Sequence, residues 1–421
     1  MFDRDRWQEV FSVLRKNKWR TFFTAFGVFW GIFMLVIMMG SGNGLQNAIL
    51  HDMEDMASNS FFMWTQRTTM PYKGFSTGRR FGFSNADTKA LRERIPEIGL
   101  IAPRLQVWGG QGQNNVVRGL QTGAYDIYGD YPDFQKISPM NIQEGRFINA
   151  TDVQGYRKVA VVGQLVRDNL FTSGEEALGE YIRINGVYFM VVGTFKSKRS
   201  GGQAEHENKA IYIPLTTMQR TFNYGDRVGW YSITAKEGYS ATEVEVKAKR
   251  LMKERHFVHP DDDQAIGGFN VEKEFRRMQG LFRGIRALIW IVGTGTLIAG
   301  IVGVSNIMLI VVRERTREIG VQRALGASPA NIIGQILTEA VFLTTLAGYI
   351  GLTLGVGLLE LINRALANAG GDEQFFREPG IDFSMGLTAL GILVAAGLLA
   401  GFIPARKAVA VKPIEALRYE N

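Results

Sequence analysis

Arg313-Glu314-Arg315-Thr316-Arg317-Glu318-Ile319-Gly320-Val321-Gln322-Arg323-Ala324-Leu325-Gly326-Ala327-Ser328-Pro329-Ala330-Asn331 is a charged stretch set between two apolar runs. On its N-terminal side, no charged residue occurs from Ala287 to Val312. On its C-terminal side, the run to Leu359 is broken only by Glu339. About 20 apolar residues cross a bilayer core as a helix, so the stretch joins two membrane helices by a short basic turn.

Within the turn, Ser328 followed by Pro329 is a helix start. Serine caps free N–H groups, and proline is tolerated at the first helical position. A helix is therefore expected to begin at the membrane surface and run into the next span. Physics alone also allows an ordinary basic loop that only fixes topology. The run Arg317 to Ser328 closely resembles the cytoplasmic loop of the MacB/FtsX family of ABC-transporter permeases, the type VII ABC superfamily. The resemblance implies that this loop carries a coupling helix docking on an ATPase. The residues carried over to that role are Arg317, Glu318, Ile319, Gly320, Arg323, Ala324, Leu325, Gly326, Ala327, Ser328, Pro329 and Ile332.

The 421 residues allow two or three domains. A mean hydropathy of −0.02 hides two populations, apolar spans and a polar middle. The net charge of +8 admits nucleic acid as a partner, but basic residues beside spans suit an anionic leaflet, so the excess reads as topology. With no cysteine, disulfides and thiolate metal sites are excluded.

Residues 1–20 are basic, and Trp7, Val10, Phe11 and Leu14 share one side at helical spacing. An amphipathic entry helix in the cytoplasmic interface is expected, followed by a first span over 21–43. The rival reading, a cleaved signal peptide, fits less well because leader and apolar segment are both long. Gly27-x-x-x-Gly31 offers a face for close helix approach.

No second span occurs between Gly44 and Gly284. Helical stripes at Gly44 to Met56 and Val271 to Phe282 read as a stalk extending the first two spans, or as frayed span ends. Between them short strands alternate with helices. Ser84 to Ile95 reads as a capped helix, Lys158 to Val162 as a buried strand, and Gly163 to Phe171 as a helix. Tyr181 to Ile184, Asn185-Gly186 and Val187 to Val192 read as a hairpin with a type I′ turn. Ala210 to Ile213 reads as a strand, and Pro214 opens a helix. Ser240 with Glu243 reads as a capping box for a helix to His256. Thr69 to Arg80 and Ser197 to Glu207 lack periodicity and read as mobile loops. The whole is an α+β domain large enough for its own core.

Glu144-Gly145-Arg146-Phe147, Lys158-Val159-Ala160-Val161-Val162-Gly163, Leu178-Gly179 and the Asn185-Gly186 hairpin resemble the periplasmic core domain of MacB-type permeases. The resemblance implies a core domain over 44–284, with a porter-like module at 57–119 and 206–270 and an inserted lobe at about 120–205. An FtsX-like permease domain would cover 285–421, with spans at 287–312, 332–361 and 383–403 and the cytoplasmic loop at 313–331. The fold class expected is a multi-domain integral membrane protein. Four transmembrane α-helices carry a large α+β extracytoplasmic domain inserted between helices 1 and 2.

Gly351-x-x-x-Gly355 and Gly397-x-x-x-Gly401 offer further small faces. The 363–382 loop is acidic and short, and the tail after Pro404 is basic and again resembles the family. The positive-inside rule places both termini and the 313–331 loop in the cytoplasm, and the large domain outside. Lys273, Arg276, Arg277, Arg283 and Arg286 flank the second span on the outer side, against that rule, but large domains translocate largely regardless of charge.

No G-x-x-x-x-G-K-[ST] loop and no G-x-S-x-G elbow occurs in the sequence. The chain is therefore expected to be non-catalytic and to bind no cofactor, ATP being used by a partner. Only about 20 residues precede the first span, which departs from MacB proper and matches split systems with a separate ATPase. Of the four histidines, His256 and His259 have a spacing that admits a metal, but a solvated loop is the expected reading, and no metal site is assigned. Glu339 lies about two turns from Asn331, near the cytoplasmic surface. An acid inside a span is costly and often functional. A structural pair with a basic residue of the loop or entry helix, for example Arg20, is expected rather than proton transport.

The function implied is that of a permease subunit in the inner (plasma) membrane. ATP hydrolysis would move its periplasmic or extracellular domain, by mechanotransmission, for efflux of drugs, peptides or similar substrates. Implied partners are an ABC ATPase, a second permease chain in a homo- or heterodimer, a periplasmic adaptor with an outer-membrane duct, and membrane lipid, with no nucleic acid. Lipoprotein extraction or control of a cell-wall hydrolase is the alternative within the family, since fold does not encode cargo. A membrane-anchored sensor without an ATPase is the alternative of another class.

Overall fold

The computed structural model describes residues 18–54, 57–107, 114–172, 174–199, 201–369, 379–380 and 383–410. The entry helix expected before Lys18, most of the acidic loop and the tail motif after Ala410 lie outside these residues. Two compact units result: the long helices up to Ala48 and from Gly280 onward, and residues Ile49–Gln279.

The chain enters through α1 (Lys18–Glu54). The second unit then folds as strands β1 (Ser60–Thr65), β2 (Phe83–Ser84), β3 (Ile98–Gln106), β4 (Asn115–Arg118), β5 (Gln121–Ala124), β6 (Asp126–Asp130), β7 (Asn141–Gly145), β8 (Val159–Gly163), β9 (Tyr181–Ile184), β10 (Val187–Lys196), β11 (Ala210–Pro214), β12 (Arg227–Val228), β13 (Trp230–Ala235) and β14 (Ile266–Asn270). Its helices are α2 (Asn85–Arg94), α3 (Phe134–Ile137), α4 (Ala150–Gln154), α5 (Gln164–Leu170), α6 (Gly201–Asn208), α7 (Leu215–Thr221) and α8 (Ala241–Arg255).

One mixed sheet runs β14-β1-β13-β3-β6-β11-β8-β10-β9-β4-β5, with β7 also pairing β10; β2 and β12 form a separate pair. All five residues of β8 are buried, as a strand covered on both faces requires, and it pairs in parallel with β10. The β9–β10 hairpin turns at Asn185 (φ 45°) and Gly186 (φ 90°), the two left-handed positions a type I′ turn needs. Phe61, Met63, Ile127, Val162, Phe189 and Val191 contribute to one continuous core.

Three local expectations are corrected. Ser240 and Glu243 do not form a capping box. The Ser240 hydroxyl donates to the Glu272 carboxylate at 3.0 Å, and the Thr242 N–H donates to the same carboxylate. A distant acid supplies the anion that the first turn of α8 needs, which local spacing cannot reveal. The segment 197–207 is not a plain loop, because α6 forms within it. Arg199 pairs with Glu207 at 3.1 Å, and Lys209 with Glu205 at 2.5 Å. The loop 69–80 is likewise pinned. Asp262 accepts from Thr69 N, Thr69 Oγ1 and Met70 N, and Arg79 donates to the carbonyls of His256 and Phe257.

The first unit is completed by α9 (Val271–Glu314), α10 (Thr316–Ala324), α11 (Pro329–Ala369) and α12 (Phe383–Ala410). Among the described residues, four helices are long and apolar enough to cross a membrane: α1, α9, α11 and α12. The small faces meet neighbours. A Cβ on Gly300 of α9 would lie 3.2 Å from the Gly27 carbonyl of α1. A Cβ on Gly351 of α11 would lie 2.6 Å from the Phe29 carbonyl oxygen. Lipid is as apolar as leucine, so such close backbone approach replaces the hydrophobic effect between spans. Gly351→Val is expected to destabilise this unit by about 1–3 kcal/mol, read as a lower unfolding temperature in detergent, while Gly357→Val, at open space, leaves it unchanged.

Candidate functional site

The charged turn folds into a short helix gripped at both ends. α9 stops at Glu314, and the Thr316 hydroxyl donates back to the carbonyls of Val312 and Arg313. α10 ends where Gly326 adopts φ +95°; Gly326 N and Ala327 N then donate to the carbonyls of Arg323 and Gln322. Ser328 caps the next helix, its Oγ accepting from Asn331 N at 3.3 Å, and Pro329 takes the first position.

Two arginines fasten α10. Arg315 reaches Glu339 of α11 at 3.1 Å and Glu318 at 3.0 Å. Arg323 donates to the Val409 carbonyl at the end of α12 at 2.6 Å. Glu339 thus pairs with a basic residue of the loop, and that residue is Arg315. The Arg20 side chain lies outside the described residues.

The loop residues separate by burial. Ile319 and Gly320 of α10 and Ile332 of α11 face the core, with Ile332 only 2% exposed. Arg317, Glu318, Ala324, Gly326, Ser328 and Pro329 are exposed, Arg323 and Ala327 half-buried. Leu325 is 84% exposed, a large aliphatic side chain at the tip of a rigid turn. Leu325 is thus an apolar side chain held out to solvent just past the end of α10, which is fastened to α11 and α12.

The MacB-like periplasmic core domain family matches residues 21–251, more than half of the chain, and the FtsX-like permease C-terminal family matches residues 290–413. The chain belongs to the MacB-like ABC-transporter permease family. The pyoverdine export ATP-binding/permease protein PvdT of Pseudomonas entomophila is 31% identical over 417 residues, 98% of this chain and 59% of that protein. The macrolide export ATP-binding/permease protein MacB of Bdellovibrio bacteriovorus is 29% identical over 97% of this chain and 61% of that protein. This MacB-like chain therefore spans about three fifths of the length of these relatives. The periplasmic region of MacB from Actinobacillus actinomycetemcomitans aligns with 55% of this chain and 97% of that one, at 16% identity and a TM-score of 0.44.

Two charged clusters in the second unit of this MacB-like permease escaped sequence reading. In the first, Arg104 on β3 clamps Asp130 at the end of β6 at 2.8 Å, beneath the rings of Phe134, Trp230, Tyr128 and Tyr212. Burial pushes the Asp130 carboxyl up to about 6, against the charge and hydrogen bonds of Arg104. The partners are far apart in sequence, and nothing local marks them.

In the second, Asp87 meets His256 at 2.9 Å and Arg255 at 2.7 Å, and accepts from Ser84 N. His256 is thereby engaged away from His259, whose Nδ1 accepts from Asp261 N. Burial raises the Asp87 carboxyl, but the bonds from His256 and Arg255 outweigh it and hold the group well below the usual carboxylate range. A lowered folded pKa contributes stability that is fully present above the ordinary value near 4 and is lost progressively as pH falls from there through the lowered folded value. Asp87→Asn is expected to destabilise this unit by about 3 kcal/mol at pH 7, and denaturant titrations should show the gap closing below about pH 4.

Proposed function

We propose that this chain couples ATP hydrolysis by an ABC ATPase, docked on the 313–331 loop, to movement of its periplasmic unit, for efflux of drugs, peptides or similar substrates from the periplasm. The observation that carries the reading is Leu325, exposed on a helix fastened to α11 and α12. No P-loop occurs in the 421 residues, so the nucleotide site lies outside them, on a partner chain in this proposal. Two curated relatives carry ATP binding and export in their names, which supports the same assignment. In this reading both termini and the loop face the cytoplasm, the chain works as a homo- or heterodimer, and a periplasmic adaptor with an outer-membrane duct completes the path.

The test is crosslinking in native membranes with a photoreactive residue at 325, followed by purification in mild detergent. A P-loop ATPase captured through position 325 supports the reading. Capture of none, with the chain's cellular function intact after the loop is replaced by a neutral linker, would favour the sensor and sink the permease.

A further inference from the structure

We propose that the Arg315–Glu339 pair is the pin that makes α10 move as one body with α11. This rests on the docking reading above and deepens it, naming the positioning residues through which a push on the loop enters the spans. Glu339 lies about 15 Å along α11 from Pro329, inside the apolar run. Its side chain is 11% exposed and that of Arg315 18%. A carboxylate there is costly, and nothing in helix–helix packing requires it. Buried pairs contribute little net stability, so a geometric role accounts better for its presence.

The geometry fits such a role. The planar guanidinium of Arg315 uses Nη1 for Glu339 and Nε for Glu318, so its plane is set by two carboxylates. Glu318 is 66% exposed, and that bond, screened by water, is the weaker one. At the other end of α10, Arg323 holds Val409. Between its ends α10 packs through Ile319 on Met308, Ile332 and Ile336 in the core of the helical unit, and a small cleft lined by Gln322 and Gln335 opens beside the pair. Without the inner anchor, α10 is held through Ile319 and Arg323, and its orientation against α11 is less tightly set.

The absence of cysteine allows labels to be placed at will. Spin labels go on Val321→Cys in α10 and Thr338→Cys in α11, both exposed, in the full chain in detergent. Pulsed dipolar spectroscopy should give one narrow distance in the parent and a distribution about twofold wider or more in Glu339→Gln, which keeps size but removes the charge. The reversed pair, Arg315→Glu with Glu339→Arg, made together with Glu318→Gln so that no second carboxylate faces position 315, should restore the narrow distance, which a merely space-filling role would not do. Arg315→Lys, which keeps charge but not the planar fork, serves where Glu339→Gln accumulates poorly; it too should broaden the distance. Parental width in the single variants, or a reversed pair that stays broad, overturns the pin. The measurement needs no ATPase. A missing ATPase therefore strikes the docking reading alone, and an unchanged width strikes the pin alone.

Discussion

Arg104→Met is expected to destabilise the 49–279 unit by about 3–5 kcal/mol at pH 7, the usual cost of stranding one partner of a buried pair. Asp130 is fully buried, and Arg104 is its cation. Removing the guanidinium also removes the group that packs 3.5 Å from the Phe134 ring centroid. The pH dependence identifies the cause. Burial already pushes Asp130 up to about 6 in the parent. A carboxyl raised in the folded state contributes its stability below the ordinary value near 4 and loses it as pH rises through the folded value. Without Arg104 the folded value rises further. The gap between variant and parent should therefore be smallest near pH 4, open as pH rises through about 6 and keep growing above pH 7. Chemical denaturation of the full chain, followed by tryptophan fluorescence, reads it. Trp230 reports locally, because Arg104 sits over its ring. A gap that does not change with pH would mean that lost aromatic packing, not a stranded carboxylate, sets the cost.

That cluster also marks where sequence reading stops. Features written in neighbouring residues were legible. The apolar runs gave the four spanning helices, Asn185-Gly186 gave the hairpin turn, and Ser328-Pro329 gave the start of α11. The glycine faces at 27, 31, 351 and 355 found neighbours, because a stripe of small residues is itself a local pattern. Features made by distant residues were not legible. Asp130 meets Arg104 only because β3 and β6 pair. Glu272 replaces the expected Glu243 at the first turn of α8 because the chain returns there through β14. In the docking loop, residue types were readable but facing was not. Arg315 stood among several basic residues until its distance to Glu339 singled it out.

Under the proposed docking of an ATPase on the 313–331 loop, Leu325→Glu is expected to lower ATP-driven transport about tenfold or more while leaving folding and membrane insertion intact. Sequence alone groups Leu325 with Ile332, both aliphatic residues of one loop, yet their surroundings call for opposite outcomes. Leu325 is 84% exposed, so a carboxylate there stays hydrated and the unit keeps its stability. What is lost is the apolar anchor, and truncating a central anchor typically removes 2 kcal/mol or more of binding, roughly thirtyfold in affinity. Ile332 is 2% exposed within the core of the helical unit. Ile332→Glu there buries an unpaired charge, so the chain should fail to accumulate before docking is ever in question. Membrane abundance and ATPase capture, measured together for both variants, separate the two. Normal abundance with lost capture for Leu325→Glu, against lost abundance for Ile332→Glu, is the expected pattern. Full transport by an abundant Leu325→Glu chain would remove the observation on which the permease mechanism rests.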